Sequence, residues 1–250
     1  MPFDRAIRQY TGRHLVPIYR TGKEYELPVN LAPNTYFAFG RVLGQYNTSA
    51  NDVQTVTVTG GPTGGYVRMS LANPYSGAFG TFDLPYNVTS AQAQVLIRAL
   101  VGSAEYAVSG GPFPATPLVF TAAGRYAAMP ILTMKATSFL TGGSTPAVAV
   151  AKTTNGRSKG TYGWAADGGS GGLDVARCVV SYECTTDSGG NITMGAYAQE
   201  GYAGEVFPDV PAWHAGVFDT KELVGLSAAM VGQLGRLTSG VLADGQLAIE

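Results

Sequence analysis

Few side chains in this 250-residue sequence have the types and spacing that catalysis requires. It contains two histidines, His14 and His214, which are too few for a histidine metal cluster or a histidine general base with partners. We therefore expect structural roles for both. The glycine-rich run at 167–172 is followed by no strand-turn-helix pattern, so a simple turn is expected there rather than a phosphate cradle. No serine-rich region supplies the strand-to-helix elbow of a nucleophilic serine.

Glycoside hydrolysis by a pair of carboxylates is the one hydrolytic reaction that the sequence leaves as an alternative. Catalytic Asp and Glu pairs meet in space rather than in sequence, so a glycoside hydrolase stays a third alternative. Acidic residues here lie mainly at turns and caps, where a structural role is the stronger interpretation. Fourteen tyrosines could line a carbohydrate groove, although a strand tyrosine more often packs half-buried. The sequence predicts no catalytic residue, no cofactor and no metal site.

The two cysteines are predicted to be reduced and buried. Cys178, Val180, Tyr182 and Cys184 alternate with other residues, which indicates a half-buried strand. In a continuous strand the two cysteines would be about 20 Å apart, and a disulfide requires a Cα separation of roughly 4.4 to 6.8 Å. The turn at 187–191 lacks the later glutamate of a calcium loop.

Composition favours a mainly β protein that binds neither nucleic acid nor membrane. Charged residues are 13% of the chain and the net charge is −1, with no cluster of Lys or Arg to neutralise phosphates. No run of about 18 apolar residues occurs, and the N-terminus lacks the apolar region of an export signal. We expect a soluble protein that is made in the cytosol.

Short strands with turn signals dominate the middle of the chain. Strict alternation over 24–31 predicts a half-buried strand, which Pro28 would confine to a sheet edge. One helix is predicted after Thr89, with Gln92 completing a capping box and Gly102 at its end. Its apolar residues are Val95, Leu96, Ala99 and Leu100. Seven further strand-like segments suggest a sandwich; they lie at 55–59, 66–71, 78–84, 105–109, 117–122, 131–135 and 147–153.

The C-terminal stretch predicts an amphipathic helix that needs a packing partner. Asp219 or Thr220 is the expected N-cap, and leucines and Met230 then recur every three or four residues. Gly225, Ala229 and Gly232 would share a close-packing face. A strand pair at 241–242 and 246–249 is expected to end the chain.

Several of these segments resemble bacteriophage head decoration proteins of the lambda D-like type. The family pattern is a buried strand with an acidic turn, a G-x-F strand, an acidic-capped L-x-G-L helix and a last strand. An opening strand precedes them. The matching segments are 30–45, 176–187, Gly216-Val217-Phe218, 219–226 and 246–249.

The intervening stretch resembles immunoglobulin-like or sandwich-type repeats of phage and actinobacterial surface proteins. The resemblance is carried by 55–60, 86–100, 108–112 and 139–146. Together the two resemblances imply an N-terminal arm at 1–20, a discontinuous decoration domain at 21–46 and 158–250, and an inserted β-sandwich-like domain with one helix at 47–157. Exposed loops with close ends tolerate such insertions.

The resemblance implies a structural virion protein on the outer surface of a mature tailed-phage capsid. There a homotrimer would clamp neighbouring copies of the major capsid protein, with the insert projecting outward. Phe3, Ile7 and Tyr10 in the arm are the expected capsid contacts. The alternative is a tail or fibre adhesin whose inserted domain binds host carbohydrate. Neither role is enzymatic.

Overall fold

The chain forms two compact units in a computed structural model. Unit 1 comprises 1–48, 159–187 and 191–250, and unit 2 comprises 49–158 and 188–190. The sequence placed the inserted domain at 47–157, so unit 2 starts two residues later and its main segment ends one residue later. The structure describes residues 25–74, 76, 78–102, 104–194, 206–207, 210–219, 223–234, 241–242 and 246–249.

The described part of the chain is mainly β, as the composition predicted. Eighteen strands and two α-helices follow one another along it. In chain order they are β1 (Tyr25–Val29), β2 (Tyr36–Phe37), β3 (Val42–Gln45), β4 (Val53–Thr59), β5 (Gly64–Ala72), β6 (Phe79–Pro85), α1 (Ser90–Val101), β7 (Tyr106–Gly110), β8 (Leu118–Ala122), β9 (Lys135–Thr141), β10 (Ala147–Thr154), β11 (Tyr162–Trp164), β12 (Ala176–Val180), β13 (Cys184–Thr186), β14 (Ile192–Met194), β15 (Val206–Phe207), β16 (Val210–Asp219), α2 (Ala228–Leu234), β17 (Val241–Leu242) and β18 (Gln246–Ile249).

Unit 2 is sandwich-like. One sheet has the strand order β10-β4-β8-β7 and the other β6-β5-β9. Every second residue of a strand faces the interior. In β4, Gln54, Val56 and Val58 are buried while their neighbours are not. Residues from both sheets and α1 form one apolar cluster that includes Met69, Ile97 and Phe120.

The helix of unit 2 begins with the predicted capping box. The Thr89 hydroxyl accepts a hydrogen bond from the Gln92 backbone N–H, and the Gln92 side chain accepts one from the Thr89 N–H. Gly102 ends the helix with φ +110°. Ala93 and Ile97 form the buried face, whereas Val95 is 67% exposed.

Unit 1 contains two further sheets. The larger has the order β11-β3-β12-β16-β18-β17, with β1 also paired to β16, and the smaller has the order β15-β14-β13-β2. Among the described residues β1 pairs with β16 alone, which fits the edge position predicted from Pro28. Two apolar clusters fill this unit, one around Phe218 and Met230 and the other around Phe37 and Leu43.

Two strand predictions were wrong in extent. The Cys178–Cys184 segment is not one strand, because the chain leaves β12 after Val180 and enters β13, in the other sheet, at Cys184. Both cysteines are nevertheless buried and free, as predicted. The segment 131–134 is irregular, and the strand there is β9.

The C-terminal helix begins much later than predicted. Helix α2 begins at Ala228, and the Ser227 hydroxyl caps it by accepting from the Met230 N–H at 3.2 Å. Gly225 lies before the helix with φ +77°, a left-handed conformation that glycine adopts readily and that ends the expected periodicity. The strand pair predicted at the chain end is present as β17 and β18.

Candidate interaction surfaces

The sequence-predicted site residues fall into two groups. Phe3, Ile7 and Tyr10 lie outside the described residues, so their role as capsid contacts stays a prediction. Gly225 and Ala229 do not share a buried helix face: Gly225 lies before α2, and both residues are exposed. Gly232 lies within α2. Gly225 therefore does not share a helix face with Ala229 and Gly232, because the helix starts only after the Gly225 turn. Close packing of Ala229 and Gly232 against another subunit stays a prediction.

Gly225 instead packs against a cation. A Cβ at this position would lie 3.2 Å from Cζ of Arg41. Val224 holds the turn beside the start of β3, since its carbonyl accepts from the Val42 N–H at 3.0 Å and its N–H donates to the Gly40 carbonyl at 2.8 Å. The turn therefore positions Arg41 at the surface of unit 1.

An exposed aromatic pair adjoins Arg41. Tyr36 in β2 is 49% exposed and Trp164 in β11 is 43% exposed. The indole Nε1 of Trp164 donates to the Tyr36 carbonyl at 3.0 Å. Cζ of Arg41 lies 4.2 Å from the centre of the Trp164 ring, within the range of a cation–π interaction. We call Tyr36, Arg41, Trp164 and Glu183 the aromatic patch of unit 1.

Hydrogen bonds fix the polar edge of this patch. The Tyr36 hydroxyl donates to Oε1 of Glu183 at 2.8 Å, and this hydrogen bond is the main cause that raises the pKa of Tyr36. Partial burial lowers the pKa of Arg41, although a guanidinium stays charged at any ordinary pH. Nε of Arg41 is buried and has no hydrogen-bond partner among the residues that the structure describes. The patch thus presents Trp, Tyr and Arg, the residue types that dominate binding hot spots.

Unit 2 presents a second aromatic pair. Tyr66 in β5 lies opposite Phe139 in β9, and their rings stack with centroids 5.0 Å apart. The Arg68 guanidinium lies 5.6 Å from each ring centre and forms two hydrogen bonds with the Asp83 carboxylate, of 2.8 and 2.9 Å. Phe139 is 45% exposed. Aromatic rings beside a fixed cation and carboxylate are suited to stacking on a sugar ring and hydrogen-bonding its hydroxyls.

A cavity of about 420 Å³ lies within unit 1, beside the glycine-rich turn. Lys159, Arg177 and Asp174 line it together with Gly172. The expected turn is present at 167–172, and it leads into further turns rather than into a helix. Mixed charges and the lack of a nucleophile paired with a base leave this cavity without an assigned chemistry.

The remaining reactive side chains are in structural positions. Burial raises the pKa of the Cys178 thiol and raises that of Cys184 to about 12, so both stay protonated and unreactive. Burial lowers the pKa of His214, which packs edge-on against the Tyr162 ring. Within the described residues no group of three His, Cys, Asp or Glu side chains could hold a metal ion. No helix in that part of the chain is long and apolar enough to cross a membrane.

Sequence reasoning missed both aromatic patches. Tyr36 and Trp164 are 128 residues apart, and only the pairing of the sheets brings them together. A local signal existed in unit 2, where alternation places Tyr66 and Arg68 on one face of β5. No protein-family model matches this chain, and no curated protein sequence matches it.

Proposed function

We propose that this protein is a capsid decoration protein of a tailed bacteriophage, in which unit 1 binds the shell and unit 2 is an appended outer domain. The aromatic patch of unit 1 carries the proposal. Exposed Trp164 and Tyr36, with Arg41 stacked on the indole, form a surface that a protein partner would bury. The resemblance of the segments around this patch to lambda D-like proteins supports the major capsid protein as that partner.

Binding, rather than catalysis, is the physical basis of this function. A homotrimer would present three copies of the patch, so weak single contacts combine into tight attachment. Preferential binding to the mature shell would stabilise that state by linkage. The virion surface is the corresponding location, and the arm residues Phe3, Ile7 and Tyr10 remain the proposed additional contacts.

The test measures binding to capsids that lack this protein. Trp164→Ala is expected to weaken binding by about 2 kcal/mol or more, roughly 30-fold. Phe139→Ala, which removes an equally exposed aromatic from unit 2, is the matched control and should bind as the parent does. Replacing 47–157 with a short Gly/Ser linker should also preserve binding. Parent-like binding by Trp164→Ala, or a monomer in sedimentation analysis, would contradict the proposal.

A host adhesin is the second candidate, favoured by the Tyr66–Phe139 pair. In this role unit 2 binds a surface carbohydrate of the host cell. Phe139→Ala should then abolish saturable binding of unit 2 to a glycan array, while Trp164→Ala should leave it intact. The same two variants therefore separate the two functions, because each function depends on a different unit.

A further inference from the structure

A buried Lys–Asp pair joins the first and last strands of unit 2. Asp52 directly precedes β4, and Lys152 lies in β10, which pairs with β4 along its length. Nζ of Lys152 is 2.7 Å from Oδ2 of Asp52, and the two side chains are only 6% and 1% exposed. Removing two charges from water costs several kcal/mol per ion. Such a pair needs extensive support from its surroundings.

The Asp52 carboxylate receives that support from three donors. Gln54 Nε2 donates to Oδ1 at 2.9 Å, and the Gly156 and Ile131 N–H groups donate to Oδ2 at 3.2 and 3.4 Å. Glycine is required at 156, since a Cβ there would lie 1.8 Å from the Met129 carbonyl oxygen. Two backbone N–H groups directed at one oxygen are the arrangement that stabilises a developing oxyanion.

The amine is held as firmly as the carboxylate. Besides Asp52, Nζ of Lys152 donates to the backbone carbonyls of Ile131 and Ser188. These contacts keep the nitrogen next to the carboxyl group in a site that excludes water. Proximity of this kind turns a slow bimolecular reaction into an intramolecular one.

We propose that Lys152 and Asp52 form a spontaneous isopeptide bond that cross-links β4 and β10. One proton passes from the ammonium to the carboxylate, and the neutral amine attacks Cγ of Asp52. The Nζ–Cγ bond forms, one Cγ–O bond breaks, and the oxygen leaves as water. Both protons of that water come from the lysine nitrogen in the net reaction. No oxidant, metal or external reagent is required.

The amide would link β4 and β10 by a covalent bond at the place where the ion pair links them. The pair is spared the cost of two buried charges, because the product is neutral. This inference concerns unit 2 alone and does not depend on the proposed capsid role.

Intact mass spectrometry of the denatured full-length chain tests it. The expected mass is that of the sequence minus one water, and proteolysis should release a branched peptide that joins the Asp52 and Lys152 segments. Lys152→Arg retains the positive charge but cannot form the amide, so this variant should show the full mass. A parent chain of full mass after prolonged incubation overturns the proposal, as does water loss mapped to any other pair.

A second variant tests the site of attack. Asp52→Asn should reach the same final mass as the reacted parent, by release of ammonia when the Lys152 amine attacks Cγ of residue 52. Loss of water instead of ammonia from this variant would overturn the proposal, because the water would then come from another carboxyl group.

Discussion

The two units of this chain use charged side chains differently in their interiors. Unit 2 places Asp52 and Lys152 inside, where each has several hydrogen-bond partners. Unit 1 divides its apolar residues between two clusters, and its contact between Arg41 and Trp164 lies at the surface. Unit 2 also exposes an aromatic ring beside a cation, at Phe139 and Arg68, so both units offer a surface to a partner. The difference therefore lies in the buried ion pair of unit 2.

Removing Lys152 from unit 2 and Arg41 from unit 1 is the strongest test of this contrast. Lys152→Ala leaves the Asp52 carboxylate buried and unpaired, which should lower the stability of unit 2 by about 3 to 5 kcal/mol. Arg41→Ala loses one exposed cation–π contact in unit 1 and should cost about 1 kcal/mol or less. Hydrogen exchange of β4 and β10 amides reports unit 2, and tryptophan fluorescence reports unit 1, since Trp164 and Trp213 both belong to it. Equal losses of stability in the two variants would contradict the difference between the units.

Gly156→Ala should produce the next largest effect. Its Cβ would collide with the Met129 carbonyl and displace the N–H that Asp52 binds, which should cost about 1 to 3 kcal/mol of unit 2 stability. Gly61→Ala is the control, because Gly61 has a positive φ but no atom within 4 Å of an added Cβ. That control should lose about 1 kcal/mol through backbone strain alone. Denaturant midpoints compare the two, and a smaller loss for Gly156→Ala would argue against the buried network.

The helix cap of unit 2 should matter less. Thr89→Ala removes the hydroxyl that accepts the Gln92 N–H, and it should cost about 1 kcal/mol. Thr89→Ser keeps the acceptor and should be nearly neutral. Thermal unfolding of the two variants measures the difference, and equal midpoints would mean that tertiary packing alone holds α1.

Acid should affect unit 1 slightly, through His214. Burial lowers its pKa in the folded state below the ordinary value of 6.5, so below that value the unfolded chain binds more protons than the folded chain. Stability of unit 1 should therefore fall as the pH drops through about 6.5 towards the lowered pKa, and it should be unaffected above. His214→Gln removes this dependence in tryptophan-detected unfolding. His14→Gln, which changes the other histidine, is the control.

Local patterns predicted what local forces determine. Alternation identified most strands of unit 2, and the Thr89 capping box identified α1, because both signals act within a few residues. The irregular segment 131–134 escaped prediction because side chains satisfy its backbone: Gln54 Oε1 accepts from the Met134 N–H and Asp52 from the Ile131 N–H. Without knowledge of those distant partners, an apolar run such as this one resembles a strand.

The candidate site could not be predicted from the sequence where it depends on contacts between distant residues. Helix α2 begins later than its periodic pattern predicted because Gly225 takes a left-handed conformation against Arg41, a contact that no local rule contains. The aromatic patch and the Lys152–Asp52 pair both join residues about a hundred or more positions apart, so no local pattern could predict either. The buried, reduced state of Cys178 and Cys184 was predictable, even though the strand between them was not continuous.

The junction of unit 2 also bears on how such a chain can change over generations. Ala50 and Arg157 exchange two backbone hydrogen bonds of 2.9 Å, so the chain enters and leaves the unit side by side. Because the two ends of the unit lie next to each other, its coding segment can be gained, lost or exchanged by in-frame recombination. A short connection can then join the flanking parts of the chain. Selection on the outer domain can then proceed separately from selection on the rest of the chain.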